Sequence, residues 1–194
     1  MRIVHYPHPS LVHPGKPVAA IDGQLRRWVG EMFELMYDAK GLGLAAPQVA
    51  LPFQLLVMNV EGKAGDKDCE RVYINPRIVE RKGIMDGEEG CLSFPGMFAP
   101  VKRAKKVKVE AYDLEGNLVR VEAEGLAARA WQHEIDHLDG VVFLERFSPL
   151  VKIARSRDVK AFEKRFRDMQ AKGMLPSDLD LEKALRDLEQ ASGE

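Results

Sequence analysis

An α+β fold is what this sequence predicts, built from antiparallel β-sheets around one central helix, with an N-terminal helix and a C-terminal helical extension. Three observations carry it. One helix-period segment comes early, several short runs of alternating apolar and polar residues follow, and a second helix-period segment comes after them. That order argues against a parallel doubly wound sheet, in which strands and helices alternate. The composition, 45% hydrophobic and 30% charged over 194 residues, is that of one globular domain of ordinary size.

Residues 1–20 are rich in Pro and His and read as extended. Asp22 is an N-cap candidate for a helix over 24–39, because Leu25, Trp28, Val29, Met32, Leu35 and Met36 recur on one face and Gly41 follows as a stop. "GLGLAAPQ" is a Gly-rich segment, and 54–60 (QLLVMNV) a buried strand. "EGKAGDKDCE" reads as a charged loop, with Cys69 as an exposed thiol. "RVYINP" and "RIVERKG" read as separate strands divided by Pro76. Alternation from Val101 to Gly125 on both sides of "LEGN" predicts one hairpin. A helix over 125–139 follows, and "VVFLERF" after it reads as strand-like. Ser148 and Pro149 are an N-cap and N1 pair for a helix over 149–172, and Pro176 separates it from a final acidic helical stretch.

The net charge of −1 excludes a molecule that binds nucleic acid by overall charge, and no DNA partner is expected. No apolar run reaches 18 residues, and the N-terminus has no apolar leader, so the expectation is no membrane and a cytoplasmic location. Two cysteines, Cys69 and Cys91, are too few for a disulfide framework.

The chemistry concentrates in "QHEIDHLDG". On a helix, positions i and i+4 lie about 40° apart, so His133 and His137 project from one face and can grip one divalent cation. Glu134 beside them is the general-base candidate. The metzincin pattern HExxHxxGxxH holds as far as Gly140 and then meets Phe143 where its third histidine belongs. The third ligand is therefore sought elsewhere, with Glu145 and Glu163 downstream and Cys91 upstream. Cys91 in "EGCLSFPG" is the favoured choice, since a thiolate is a strong soft ligand. The fold is thus expected to be antiparallel sheets packed around a central metal-binding helix.

Together, "GLGLAAPQ", "EGCLS" and "QHEIDHLDG" resemble the three signature motifs of the peptide deformylase family, over about residues 1–147. The resemblance implies a catalytic domain at 1–147 and a C-terminal helical extension at 148–194, basic then acidic. It implies a metallohydrolase that removes the formyl group from the N-terminal formylmethionine of new polypeptides. Cys91, His133 and His137 would hold one divalent metal per chain, with Fe(II) expected and Zn, Ni or Co able to occupy the site. Hydroxide would attack the formyl carbon and formate would leave. Glu134 would move the proton, while the Gln48 side chain and the Leu92 N–H donate to the oxyanion. Gly43 and Gly90 would meet the substrate backbone, and Leu44, Leu126 and Ala130 would line the methionine pocket, ordinary core packing being the alternative for these three. Glu89 and Arg103 are expected to support the ligands, and Asp136 to orient a ligand histidine or its surroundings, an exposed helix acid being the alternative. Phe98 departs from relatives that carry an arginine there. His5, His8 and His13 lack the spacing of a second metal site. The basic helix 149–172, with eight Lys/Arg against three acids, is a candidate ribosome contact, the alternative being a solvated helix neutralised by the acidic stretch.

Two rival readings stand beside this one. An HExxH endopeptidase would cleave internal peptide bonds. A structural metal site in an RNA-binding module would have no open coordination position.

Overall fold

The computed structural model describes residues 1–60 and 66–191, so part of the charged loop, 61–65, and the last three residues lie outside it. The first helix, α1 (Gly23–Asp38), starts where Asp22 caps it, its side chain accepting from the Leu25 N–H at 2.8 Å. The early strands β1 (Gly43–Ala45) and β2 (Leu55–Met58) pair antiparallel. β3 (Arg71–Lys82), β6 (Lys106–Tyr112) and β7 (Leu118–Glu124) complete a five-stranded sheet in the order β1-β2-β3-β6-β7. β4 (Met85–Gly90) and β5 (Phe98–Arg103) form a second, two-stranded sheet.

The central helix α2 (Gly125–Leu138) lies between the two sheets. Side chains of β2 alternate across the large sheet. Leu55 and Val57 pack with Leu25, Val29, Met32 and Met36 of α1, whereas Leu56 and Met58 pack with Ala128, Trp131, Ile135 and Leu138 of α2. The opposite side of α2 faces β4 and β5. Every residue from Trp131 to Leu138 is therefore buried, charged ones included. A Schellman motif ends the helix: Gly140 N–H donates to His137 O, and Val141 N–H to Asp136 O. Gly140 has φ of 73°, and a Cβ there would meet Val12 O at 2.9 Å, so both the turn and the neighbouring arm require glycine.

Four local expectations need correction. Pro76 does not divide two strands. It sits in a register shift between Ile74 and Arg77 within the single strand β3, where a missing N–H costs no ladder bond. The alternation from Val101 to Gly125 is not one hairpin. Val101–Arg103 belong to the small sheet, and the chain changes sheets at Ala104, whose N–H and C=O both bond the Gln132 side chain. "VVFLERF" is not a strand but includes a 3₁₀ turn, Phe143–Arg146. Cys69, expected exposed, is partly buried in another such turn.

The C-terminal helices α3 (Pro149–Ala171) and α4 (Asp178–Ala191) lie on the rest of the chain. Phe166 and Leu185 are buried, and Glu189 of α4 pairs with His13 and Lys16 of the N-terminal arm. No described helix is long and apolar enough to cross a membrane.

Phe94 is fully buried where the arm, the small sheet and α3 meet, with Tyr6, Phe143 and Phe162 rings 4.9, 5.0 and 5.6 Å away. Phe94→Ala is expected to lose about 3–5 kcal/mol of stability, read as a lower urea midpoint with an unchanged slope.

Candidate metal centre

Two helical histidines and one cysteine from beyond the small sheet converge here. His133 and His137 stand one turn apart on α2, their rings 4.9 Å apart and nearly perpendicular. Cys91 follows the last residue of β4 and brings Sγ to 3.2 Å from His137 Nε2. One donor atom from each of the three falls within 4.8 Å of the others, and all three residues are buried. Neither Glu145 nor Glu163 joins them. Among the described residues no second such group forms: His8 bonds Ser10, and His13 bonds Glu189.

The donor set fits a divalent cation. A thiol and two imidazoles closing on one point repel one another's charge unless a proton or a cation sits among them. Burial lowers the His133 pKa, but its bonds to Cys91 and Glu89 outweigh that and hold it well above the usual range. Burial and the neighbouring His133 charge hold His137 well below it.

Glu89 orients the first histidine. Its Oε1 bonds His133 Nδ1 at 2.7 Å, which turns Nε2 toward Cys91. Arg103 grips the same carboxylate through two bonds, 2.8 and 2.9 Å, and Arg129 adds a third at 2.7 Å. Burial raises the Glu89 pKa, but the bonds to Arg103 and His133 hold it far below the usual carboxylate range. Asp136 touches no ligand histidine but holds the groups around one. It is buried, and its carboxylate holds Arg103 at 2.5 Å and Arg146 at 2.6 Å. Asp136 therefore acts through Arg103. Arg129 and Arg146 escaped the sequence reading. The signal for Arg129 was present, since it stands four residues before His133 on the same helical face.

Glu134 lies beside the trio with its Oε2 buried and unbonded. Burial pushes its pKa up to about 7. Gly43 faces it across β1, and a Cβ at that position would stand 2.7 Å from Glu134 Oε1. The glycine thus makes room for the carboxylate. Gln48 is almost fully buried, and its Oε1 accepts from the Ala45 N–H at 2.9 Å. That fixes the amide so that Nε2 points to Cys91 Sγ at 3.6 Å and Ser93 Oγ at 3.4 Å. Ser93 is a further residue the sequence reading missed. The Leu92 N–H donates to no described atom.

These groups open into a cleft of about 750 Å³, within the range of small-ligand sites. Gly43, Gly90, Leu92, Leu126 and Ala130 line it as expected. Leu44 does not. Its side chain is fully buried in the core against α1, and Leu42, in the bend just before β1, lines the cleft instead. Phe98 lies at the rim, half exposed, with its ring against Gly90. Phe143, which displaces the third histidine of the metzincin pattern, packs its ring 6.1 Å from that of His133.

The family model for polypeptide deformylase matches residues 1–152. The chain is 46% identical over 164 residues to the peptide deformylase of Chromobacterium violaceum, covering 84% of this chain and 96% of that one. It is 46% identical over 150 residues to that of Neisseria gonorrhoeae, covering 77% and 88%. Among solved structures, a peptide deformylase of Arabidopsis thaliana superposes with a TM-score of 0.84 at 40% identity, covering 91% of this chain and 96% of that one. One from Legionella pneumophila gives 0.77 at 40% identity, covering 88% and 96%.

Glu89→Gln removes the charge that neutralises two buried guanidinium groups, and such a loss typically costs about 3–5 kcal/mol. It is also expected to weaken Co(II) affinity by about 10–100-fold in competition with a chelator. The native carboxylate, depressed on folding, stabilises fully above its ordinary value of 4.5, and that share is lost as pH falls toward the lower folded value. Urea unfolding should accordingly show a shallower acid dependence below pH 4.5 for the variant than for the wild type.

Proposed function

The chain belongs to the polypeptide deformylase family, a family of enzymes, and on that premise we propose that it removes the formyl group from N-formylmethionyl ends of newly made polypeptides. The observation that carries this reading is Glu134, a buried carboxylate with a free oxygen between the Cys91–His133–His137 trio and the cleft. A divalent cation bound by that trio supplies Lewis acidity toward water and the formyl oxygen. The ligand set accepts Fe(II), Zn, Ni or Co, and Fe(II) is the ion expected from the family resemblance.

The protein's own groups do the rest. Glu134 takes a proton from the attacking water and returns it to the amine nitrogen as the C–N bond breaks, leaving formate and a free amino end. The negative charge developing on the formyl oxygen is met by Gln48 Nε2 and the Leu92 N–H. Gln48 needs no reorientation, since Ala45 already holds its amide, and one such donor is typically worth about 3 kcal/mol of the barrier. β1 is an edge strand, so an extended peptide can pair along it past Gly43. Leu42, Leu126 and Ala130 form an apolar wall for the methionine side chain, and an acetyl group in place of formyl adds a methyl against the tight turn at Cys91.

The division into a catalytic part at 1–147 and an extension at 148–194 is kept in this reading as a division of roles, with the cytoplasm as the compartment. Several cations of α3, namely Lys152, Arg157, Lys160 and Lys164, form no ion pair among the described residues. The acids of α4 answer few of them: Asp178 pairs with Arg167, and Glu189 turns to the N-terminal arm. That leaves a basic surface suited to ribosomal RNA phosphates.

Formate release from formyl-Met-Ala-Ser by the Co(II)- or Fe(II)-loaded protein tests the main claim. The wild type should turn over, and Glu134→Gln should lose at least about 100-fold in kcat with its metal content unchanged. Cleavage of internal, unformylated peptides with no formate released would favour the endopeptidase instead. For the ribosome contact, a Lys152/Arg157/Lys160/Lys164→Glu variant should fail to co-sediment with ribosomes while keeping its deformylation rate; equal co-sedimentation removes the idea.

A further inference from the structure

A second cavity, of about 230 Å³, lies between the N-terminal arm and α3, apart from the metal trio. Its floor is apolar, from Val4, Phe162, Phe166, Met169 and Leu175. Its polar lining is one-sided. Arg2 and Arg165 stand at it, and neither makes an ion pair or hydrogen bond with any described residue. His8 is 6% exposed and lines the same cavity. Its Nδ1 lies 2.8 Å from Ser10 Oγ and 3.2 Å from the Ser10 N. A largely buried imidazole, two unpaired guanidinium groups and an apolar floor are a complementary set. The nearby acids are occupied elsewhere: Asp178 by Arg167 and Gln170, and Glu163 by the Tyr6 hydroxyl.

We propose that this cavity binds a small amphiphilic anion, its phosphate or carboxylate head between Arg2, Arg165 and His8 and its apolar body on Phe166, Met169 and Leu175. The volume lies below the roughly 300–1,000 Å³ of drug-sized sites, so the occupant is small. A bare phosphate would leave the floor unused, whereas a nucleic-acid backbone contributes heads without a tail to fill it. The electrostatics agree. Burial and the Arg2 charge hold His8 down to about 4 against an opposing pull from Asp178, and burial with Arg165 and Arg2 lowers His5, which also stands at the cavity. An anion between these groups would reverse that field. Ile3 and His5 line both this cavity and the metal cleft, so the same arm separates the two.

The test is titration of the full-length, metal-loaded protein with hexyl phosphate and heptanoate, against inorganic phosphate and hexanol, by calorimetry and by NMR of the His8 ring. The expected result is saturable binding of one alkyl anion per chain, at least about 10-fold tighter than inorganic phosphate because the tail is buried, with hexanol weaker still. The His8 pKa should rise from about 4 on binding. Arg165→Ala, at an exposed position, should weaken binding without changing the melting temperature, and Leu175→Trp should block it by filling the floor. The relative affinity of hexyl phosphate and heptanoate then names the head. No saturation by either alkyl anion, equal binding of inorganic phosphate, or binding unaffected by both Arg165→Ala and Leu175→Trp would overturn the proposal.

Discussion

The buried carboxylate of Glu89 is the constraint on which the site depends. It stands one residue before the end of β4, and it is held by His133 and Arg129 from the central helix and by Arg103 from the paired strand. Taking such a charge out of water costs several kcal/mol, and only bonds to most of its lone pairs offset that. Here two guanidinium groups and an imidazole do so. Asp136 and Arg146 extend the cluster on the far side of Arg103. The positions of the β4–β5 hairpin and of α2 are thereby tied to each other. Since Cys91 follows Glu89 by two residues and His137 follows His133 by four, the same tie sets the distance from thiol to imidazoles.

A helix caught between two sheets explains why a polar motif can be so deeply buried. Ala128, Trp131, Ile135 and Leu138 supply the packing against the large sheet, and the charged residues take the face toward the small one. From Trp131 to Leu138 both faces are buried. In that setting each unmet donor or acceptor is costly. Nearly all are met. The free oxygen of Glu134 is an exception, and it faces the cleft. A purely structural metal site would have no use for an unbonded carboxylate beside it, nor for a fixed side-chain amide and an unused backbone N–H on the other side.

Some expectations drawn from sequence failed for identifiable reasons. Pro76 ends a strand by local rules, yet a register shift absorbs it because the strand's neighbours carry the pairing past it. Alternation through Ala104 looked continuous because strand period says nothing about which sheet a residue joins, and the Gln132 side chain marks the change. Leu44 and Leu42 have the same chemistry, and the bend at Leu42 before β1 separates the one that meets the cleft from the one in the core.

The sequence by itself determined what rests on neighbours three or four residues apart: the caps at Asp22 and Ser148, the helical pairing of His133 with His137, the glycine that ends α2, and the three motifs that identify the family. Tertiary structure decided what rests on residues far apart in the chain. Cys91 rather than Glu145 or Glu163 joins the histidines because the small sheet is ion-paired to the central helix across more than forty residues. Arg146 became visible only with its buried carboxylate beside it, and the second cavity only with α3 laid against the N-terminal arm. Periodicity and capping are short-range and leave a local signature. Burial of a charge and its partner is settled by packing, which no local pattern records.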